Sequence, residues 1–339
     1  MNKSVLFITR TYGDAHGGMQ TYARTLDRGL RVRTDLDVDA CVFRGSLPAL
    51  PVFFGRALIT ALFMTKNTLL LGDAVLSPIL LFMTMLRPRV QRTVIVHGLD
   101  LTWRFPLYRL LIGFCLRRAH RIVAVSRSTA AIAAGLGIPS ERMTVIPCPV
   151  PPADAAHVVR TPYQLLLLGR LIPRKGTQWF LRDVLPLLLA EHPHLTVLVA
   201  GDGRERAPID ALLRHSPHAS SVRMLGAVSD AEKQKLLLTS ALLVVPNVAM
   251  EGDTEGFGIV CLEAGVRGLP TVAAAIDGLP DAVIDGVSGR FFQSGSAEDC
   301  ARVILSALAT RFDEDLMRRA ILERFDPSVI ASRFIADAF

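Results

Sequence analysis

The stretch EGDTEGFGIVCLEA, residues 251–264, follows an apolar run, ALLVVP (241–246), and leads into an apolar helical pattern. It sets Glu255 and Glu263 eight positions apart, around a turn made of Gly256, Phe257 and Gly258. A strand, a glycine turn and a helix in this order form the repeating unit of a parallel α/β sheet, whose ligands sit at the carboxyl ends of the strands. Glycine lets a ligand come close to the backbone, and the first-turn amides of the helix, about Gly258 and Ile259, point at any anion placed there. Eight residues correspond to at most about 12 Å along a helix. Two carboxylates at that spacing can accept hydrogen bonds from hydroxyl groups on either side of an anionic centre. The spacing alone suits equally an acidic helix start with Glu263 in solvent.

Outward from this turn, short apolar runs alternate with helical patterns along the whole chain, as in parallel sheets with crossover helices. In the first half the strands read SVLFIT, VDACVF, NTLLL, RTVIVH, RIVAVS and MTVIP, with helices over 19–30, 53–65, 106–119 and 127–135. The prolines of IPCPVPPADAAHVVRTP (146–162) resist helix and central strand alike, and mark a linker. The alternation restarts with QLLLLGR, LTVLVAG, VRML, ALLVVP and PTVAAA. The expected fold is α/β, two Rossmann-like doubly wound domains facing a central cleft. The first domain covers 1–150, the linker 151–162 and the second domain 163–339, with the last helix free to cross back to the first domain.

The chain has 339 residues, half of them hydrophobic, enough for two buried cores. Its charge of +7 is uneven: residues 1–150 hold 19 basic and 8 acidic side chains, and residues 151–339 hold 19 and 23. A basic half attracts anionic lipid or acidic substrates. With 6% aromatics and no arginine-rich helix, nucleic acid is not an expected partner. Cys41, Cys115, Cys148, Cys261 and Cys300 form no close pair and no zinc spacing, which points to reduced thiols in a cytoplasm. The first apolar run ends after six positions, so no signal peptide is expected. The most apolar region, residues 57–86, is interrupted by Lys66, Asp73 and Pro78, and reads as two buried helices around a strand rather than a membrane span. Interfacial docking of an exposed helix face is the other reading.

The segment EGFGIVCLEAGVRGLPTVAAAIDGLPDAVIDGVSGRFF (255–292) resembles the signature region of retaining family 4 glycosyltransferases, including its pair of glutamates with seven residues between. LLLLGRLIPRKGTQWFL (165–181) is similar to that family's strand and loop carrying the arginine and lysine that hold a nucleotide diphosphate. GGMQTYARTL (17–26) is similar to its N-terminal glycine loop and helix, and VIVHGLDL (94–101) to the strand end bearing its active-site histidine. The likenesses run in family order over roughly residues 4–310. They imply the GT-B architecture and transfer of a sugar from a UDP- or GDP-linked donor to an acceptor hydroxyl, in bacterial polysaccharide, lipopolysaccharide or glycolipid synthesis.

On this resemblance the catalytic residues are His97, Arg170, Lys175 and Glu255, with Gly17, Gly18, Gly256, Phe257, Gly258, Ile259 and Glu263 binding the donor. Arg170 and Lys175 sit after a buried-looking strand, in a turn opened by Gly169 and bent by Pro173, where a guanidinium and an ammonium can neutralise a diphosphate without metal. No cofactor or metal is therefore expected. Arg174 is left to solvent or to a supporting place behind the site. Asp35, Asp37 and Asp39 superficially resemble an acidic metal triplet but read as a solvated strand edge. Asp277 departs from the resemblance, standing where a second glycine commonly precedes GLP. The acceptor is expected to be a sugar or a lipid-linked sugar, the setting cytoplasmic and peripheral at the inner face of the plasma membrane, with anionic lipid as a partner. A non-hydrolysing nucleotide-sugar epimerase and a non-enzymatic membrane-bound assembly component are the alternatives.

Overall fold

The computed structural model describes residues 3–12, 17–45, 47–103, 105–153 and 158–339. Positions 154–157 of the expected linker lie outside the described residues. The chain divides into two compact units. Unit 1 comprises Met1–Pro151, Thr254–Ile259 and Arg324–Phe339; unit 2 comprises Pro152–Asp253 and Val260–Glu323.

Unit 1 is built on a six-stranded parallel sheet of β1 (Lys3–Thr9), β2 (Leu36–Val42), β3 (Thr68–Leu71), β4 (Gln91–Val96), β5 (Arg121–Ala124) and β6 (Met143–Val145), in the order β2-β1-β3-β4-β5-β6. Alternate side chains leave opposite faces of each strand. Leu6, Ile8, Leu69, Leu71, Val94, Val96, Ile122 and Ala124 feed one core, which is closed by α2 (Leu50–Leu62), α3 (Ile79–Leu86), α4 (Pro106–Leu116) and α5 (Arg127–Gly135). The other face carries α1 (Gly18–Val32), on which the last helix of the chain, Pro327–Asp337, packs so closely that a Cβ on Gly29 would meet the Pro327 carbonyl oxygen at 2.5 Å. Strand order reverses between β1 and β3, which makes their carboxyl ends a crevice suited to ligands.

Unit 2 repeats the plan with β7 (Gln164–Leu168), β8 (Thr196–Ala200), β9 (Val222–Gly226), β10 (Leu242–Val245), β11 (Thr271–Ala274) and β12 (Gly289–Phe292), in the order β12-β11-β10-β7-β8-β9, every pairing parallel. Its helices are α6 (Thr177–Trp179), continued by a π-helical turn over Phe180–Val184, α7 (Leu185–Glu191), α8 (Arg206–Arg214), α9 (Asp230–Thr239), α10 (Ile259–Gly265), α11 (Leu279–Ala282), α12 (Ala297–Ala309) and α13 (Glu314–Phe325), the last running on into α14 (Pro327–Asp337) of unit 1. The switch of strand order falls between β7 and β10.

Two expectations change. The helices of residues 57–86 are buried on one side only: Phe63 and Met85 stand 81% and 80% exposed, so the two-buried-helices reading is replaced by helices with an open outer face. Strand β12, GRFF, was not expected, being four residues long and interrupted by Arg290. Among the described residues no helix is long and apolar enough to cross a membrane.

Candidate functional site

The switch point of unit 2 forms a cavity lined by Gly169, Arg170, Lys175, Thr177, Pro246 and Asn247, among others. Buried Leu165–Leu167 end in Gly169, and the chain then turns outward, leaving Arg170 exposed and Lys175 half-buried. Lys175 reaches back so far that its Cε would lie 3.7 Å from a Cβ on Gly169. The return of the loop depends on Gly176, which takes φ +65° and whose Cβ would stand 1.9 Å from the Pro246 carbonyl oxygen. Only glycine combines that left-handed backbone with so close an approach. Arg174 is 2% exposed, its Nε 2.9 Å from Asp253 Oδ1, and its carbonyl accepts the Val248 N–H at 2.9 Å. Of the two placements open to Arg174, solvent is excluded; it ties the β7 loop to the segment after β10.

Glu263 lies on α10, 8% exposed, with Lys233 Nζ 2.9 Å from its Oε1. It is an ion-paired carboxylate rather than a solvated helix-start acid, and it is not among the residues lining the cavity of Arg170. Lys233 comes from α9, whose start is fixed by a capping box in which Ser229 accepts the Glu232 N–H and Glu232 reaches back to the Ser229 N–H. Sequence alone does not single out this cation, since nothing local to DAEKQKLLLTS marks one lysine for pairing.

In unit 1 the carboxyl ends of β3 and β4 are locked together. His97 follows β4, donates its backbone N–H to Asp100 Oδ1 at 2.9 Å, and Asp100 Oδ2 accepts the Ala74 N–H at 2.9 Å. One buried carboxylate thereby clamps two strand ends. The His97 ring is held by an Nε2 contact of 2.9 Å to the Gly72 carbonyl and stands edge-on to Tyr22, centroids 4.8 Å apart. A carbonyl can only accept, so Nε2 carries the proton. Beside it Asp73, fully buried, accepts from Arg10 Nε and the Val75 N–H at 3.0 Å each. Burial pushes the Asp73 carboxyl above its ordinary range, against the pull of Arg10. Sequence reading marks Asp73 only as a break in an apolar run and leaves Asp100 and Arg10 unmarked, because an aspartate three residues past a histidine is an ordinary loop feature.

The glycine turn of residues 254–259 packs within this unit. A Cβ on Gly256 would lie 2.2 Å from the His97 carbonyl oxygen, and Gly256's own carbonyl accepts from Thr129 Oγ1 at 3.5 Å. Gly256 is thus required by the protein's own backbone, a need separate from the ligand contact expected of it. Phe257 is buried edge-on against Phe325, centroids 6.1 Å apart, and anchors the turn. Gly258 takes φ +92°. Glu255 is half-buried, close enough to Cys148 that its charge adds to burial in pushing that thiol well above its usual range. Gly17 is the extended N-cap of α1, with no side-chain cap, and a Cβ on Gly18 would be 3.9 Å from Ile259 Cδ1. These placements bring Gly18, His97, Gly256 and Ile259 into one neighbourhood of unit 1, with Arg170 and Lys175 together in unit 2. Among the described residues no His, Cys, Asp or Glu group is arranged to hold a metal.

Comparison with known proteins follows the same division. Residues 162–310 match the family model described as glycosyl transferases group 1, and residues 16–154 that described as glycosyltransferase family 4. A phosphatidyl-myo-inositol mannosyltransferase from Propionibacterium freudenreichii is 34% identical over 176 residues, 51% of this chain and 42% of that protein. A glycogen synthase from Mycobacterium tuberculosis is 35% identical over 136 residues, 40% of this chain and 31% of that one. The matches thus span less than half the length of these relatives. Among solved structures, Anabaena HepE in complex with UDP superposes with a TM-score of 0.74 at 18% identity, and sucrose-phosphate synthase from Thermosynechococcus elongatus with 0.77 at 18%, each over 98% of both chains. These neighbours share the GT-B fold, two parallel six-stranded sheets with alternating helices. With both halves matched in order, the chain belongs to the group 1, family 4 glycosyltransferases.

Proposed function

We propose that the protein transfers a sugar, with retention at the anomeric carbon, from a UDP- or GDP-linked donor to the hydroxyl of a sugar or lipid-linked sugar in bacterial cell-surface polysaccharide or glycolipid synthesis. The observation that carries the reading is the pairing of Arg170 and Lys175 in one cavity at the strand-order switch of unit 2. It is supported by the mannosyltransferase relatives and by a structural neighbour that holds UDP.

Departure of the leaving group places negative charge on the β-phosphate. Fixed cations that meet this charge as it develops lower the barrier, by roughly 3 kcal/mol for each such group on the oxyanion-hole scale. Lys175 is held by the Gly176 turn and needs little reorganisation to do so. Glu263 is assigned to the ribose hydroxyls, since its pairing with Lys233 occupies one oxygen and leaves the other to accept. On the family resemblance Glu255 is assigned to the hydroxyls of the transferred sugar, and His97 is kept as a candidate beside the Gly256 turn. Two cations lining one cavity make a metal unnecessary in this scheme.

Lys175→Ala and Arg170→Ala should each reduce release of nucleoside diphosphate by roughly 10²–10³-fold while thermal unfolding stays unchanged. Wild-type turnover in either variant would remove the diphosphate assignment, and loss of activity on chelation, restored by a divalent ion, would remove the metal-free scheme. Conversion of the donor sugar without any acceptor would replace transfer by epimerisation.

A further inference from the structure

Twelve of the twenty large hydrophobic side chains exposed among the described residues fall between positions 52 and 114. Nine of them lie on the outer surfaces of α2, α3 and α4, neighbouring helices that cover one face of the unit 1 sheet, and Phe63, Trp103 and Phe105 lie just beyond helix ends. Their inner surfaces, through Phe53, Ala57, Leu80, Met83, Ile112 and Leu116, already fill the core. Each helix is therefore apolar on two sides, and burial in its own unit explains only one of them. Exposed apolar area of this extent marks a contact surface.

The charges around it are of one sign. Residues 50–120 contain nine arginines and lysines, of which Arg92 is buried and Lys66 pairs with Asp37 and Asp39 of β2, and two acids, Asp73 and Asp100, both buried in the clamp beside His97. The basic groups are interleaved with the apolar ones at helical spacing. Val52, Arg56, Ile59 and Phe63 follow one stripe of α2; on α4, Leu107, Leu110, Leu111 and Phe114 lead to Arg118, whose guanidinium lies over the Phe114 ring at 3.7 Å. Such long cations extend their charged ends past an apolar surface that sinks into lipid.

We infer that the outer face of α2, α3 and α4 docks on an anionic lipid bilayer, independently of the transfer reaction. Anionic headgroups supply the counter-charge that the face lacks, attracting each nearby arginine or lysine. A second copy of the chain, meeting through the same face, would bring like charges together without any exposed carboxylate in residues 50–120 to offset them.

The test is co-sedimentation of the full chain with phosphatidylcholine vesicles, alone or mixed with phosphatidylglycerol. Partitioning should be at least tenfold stronger on the mixed vesicles and should weaken with salt. The variant Phe63→Ser, Met85→Ser, Leu107→Ser removes three of the most exposed side chains and should reduce partitioning about tenfold for each, with nucleoside diphosphate binding unchanged as evidence of an intact fold. Arg56→Gln with Arg89→Gln and Arg109→Gln should abolish the preference for phosphatidylglycerol. Equal partitioning on the two vesicles, full retention by the serine variant, or a concentration-dependent dimer that the serine variant dissolves in a protein that ignores vesicles would each overturn the inference.

Discussion

Replacing Gly256 by alanine is the smallest change that tests how unit 1 holds the glycine turn. The new Cβ would stand 2.2 Å from the His97 carbonyl oxygen, and a real Cβ keeps at least 3.0 Å from such an atom, so the two backbones must part by about 0.8 Å. Neither can yield by rotating a side chain. His97 is pinned through its N–H to Asp100 and its ring to Gly72, while Phe257, the next residue, is buried against Phe325. Overpacking of this kind costs about 1–3 kcal/mol, which lowers Tm by about 2–4 °C for each kcal/mol in a domain of this size. A displacement near 1 Å in a segment that includes Glu255 should also reduce turnover of the donor on the order of 100-fold. Differential scanning fluorimetry and nucleoside diphosphate release report the two effects. Gly55→Ala is the matched control: it lies in α2 with nothing within 4 Å of its added Cβ, and should stabilise by about 0.5–1 kcal/mol. A Gly256→Ala protein with the Tm and turnover of the wild type would show that the turn does not depend on its approach to His97.

Two further outcomes follow from single residues. Asp277 holds φ +55°, a conformation that explains why glycine is the usual residue before GLP in the family it resembles. Asp277→Gly should be neutral or stabilising by up to about 1 kcal/mol and Asp277→Val destabilising by at least as much; a valine variant melting with the wild type would refute the strain. The Asp73 carboxyl is raised on folding, so the native state holds its proton to higher pH than the unfolded chain does. Its contribution is complete below the ordinary carboxylate range and is lost as pH rises through the folded value. Urea unfolding of wild type and Asp73→Asn from about pH 4 to neutral should therefore shift in favour of the asparagine variant as pH rises, and a constant or opposite difference would count against burial as the dominant influence.

The alternation of strands and helices was legible because parallel strands buried on both faces read as continuous apolar runs, as QLLLL and LLVV do. The cavity of Arg170 and Lys175 was legible for a related reason: charged residues directly after such a run fall at a carboxyl strand end. What escaped lies in contacts between distant segments. Lys233 meets Glu263 across thirty residues, Asp100 reaches Ala74 across twenty-six, and Gly256 is needed because of a carbonyl far earlier in the chain. The outer faces of α2 and α3 were misjudged because residues apolar on all sides give no periodic contrast to show which side meets the core.

Unit 1 is assembled from three separated stretches of chain, the last of them holding α14 against α1. During synthesis, residues 3–151 therefore emerge with one face of their sheet lacking a helix and the β4 end lacking its glycine turn. Every segment of unit 2 has been made by residue 323, ahead of the piece that completes unit 1. The half translated first is thus the half finished last, and on the ribosome its core stays partly open while the later half can already close.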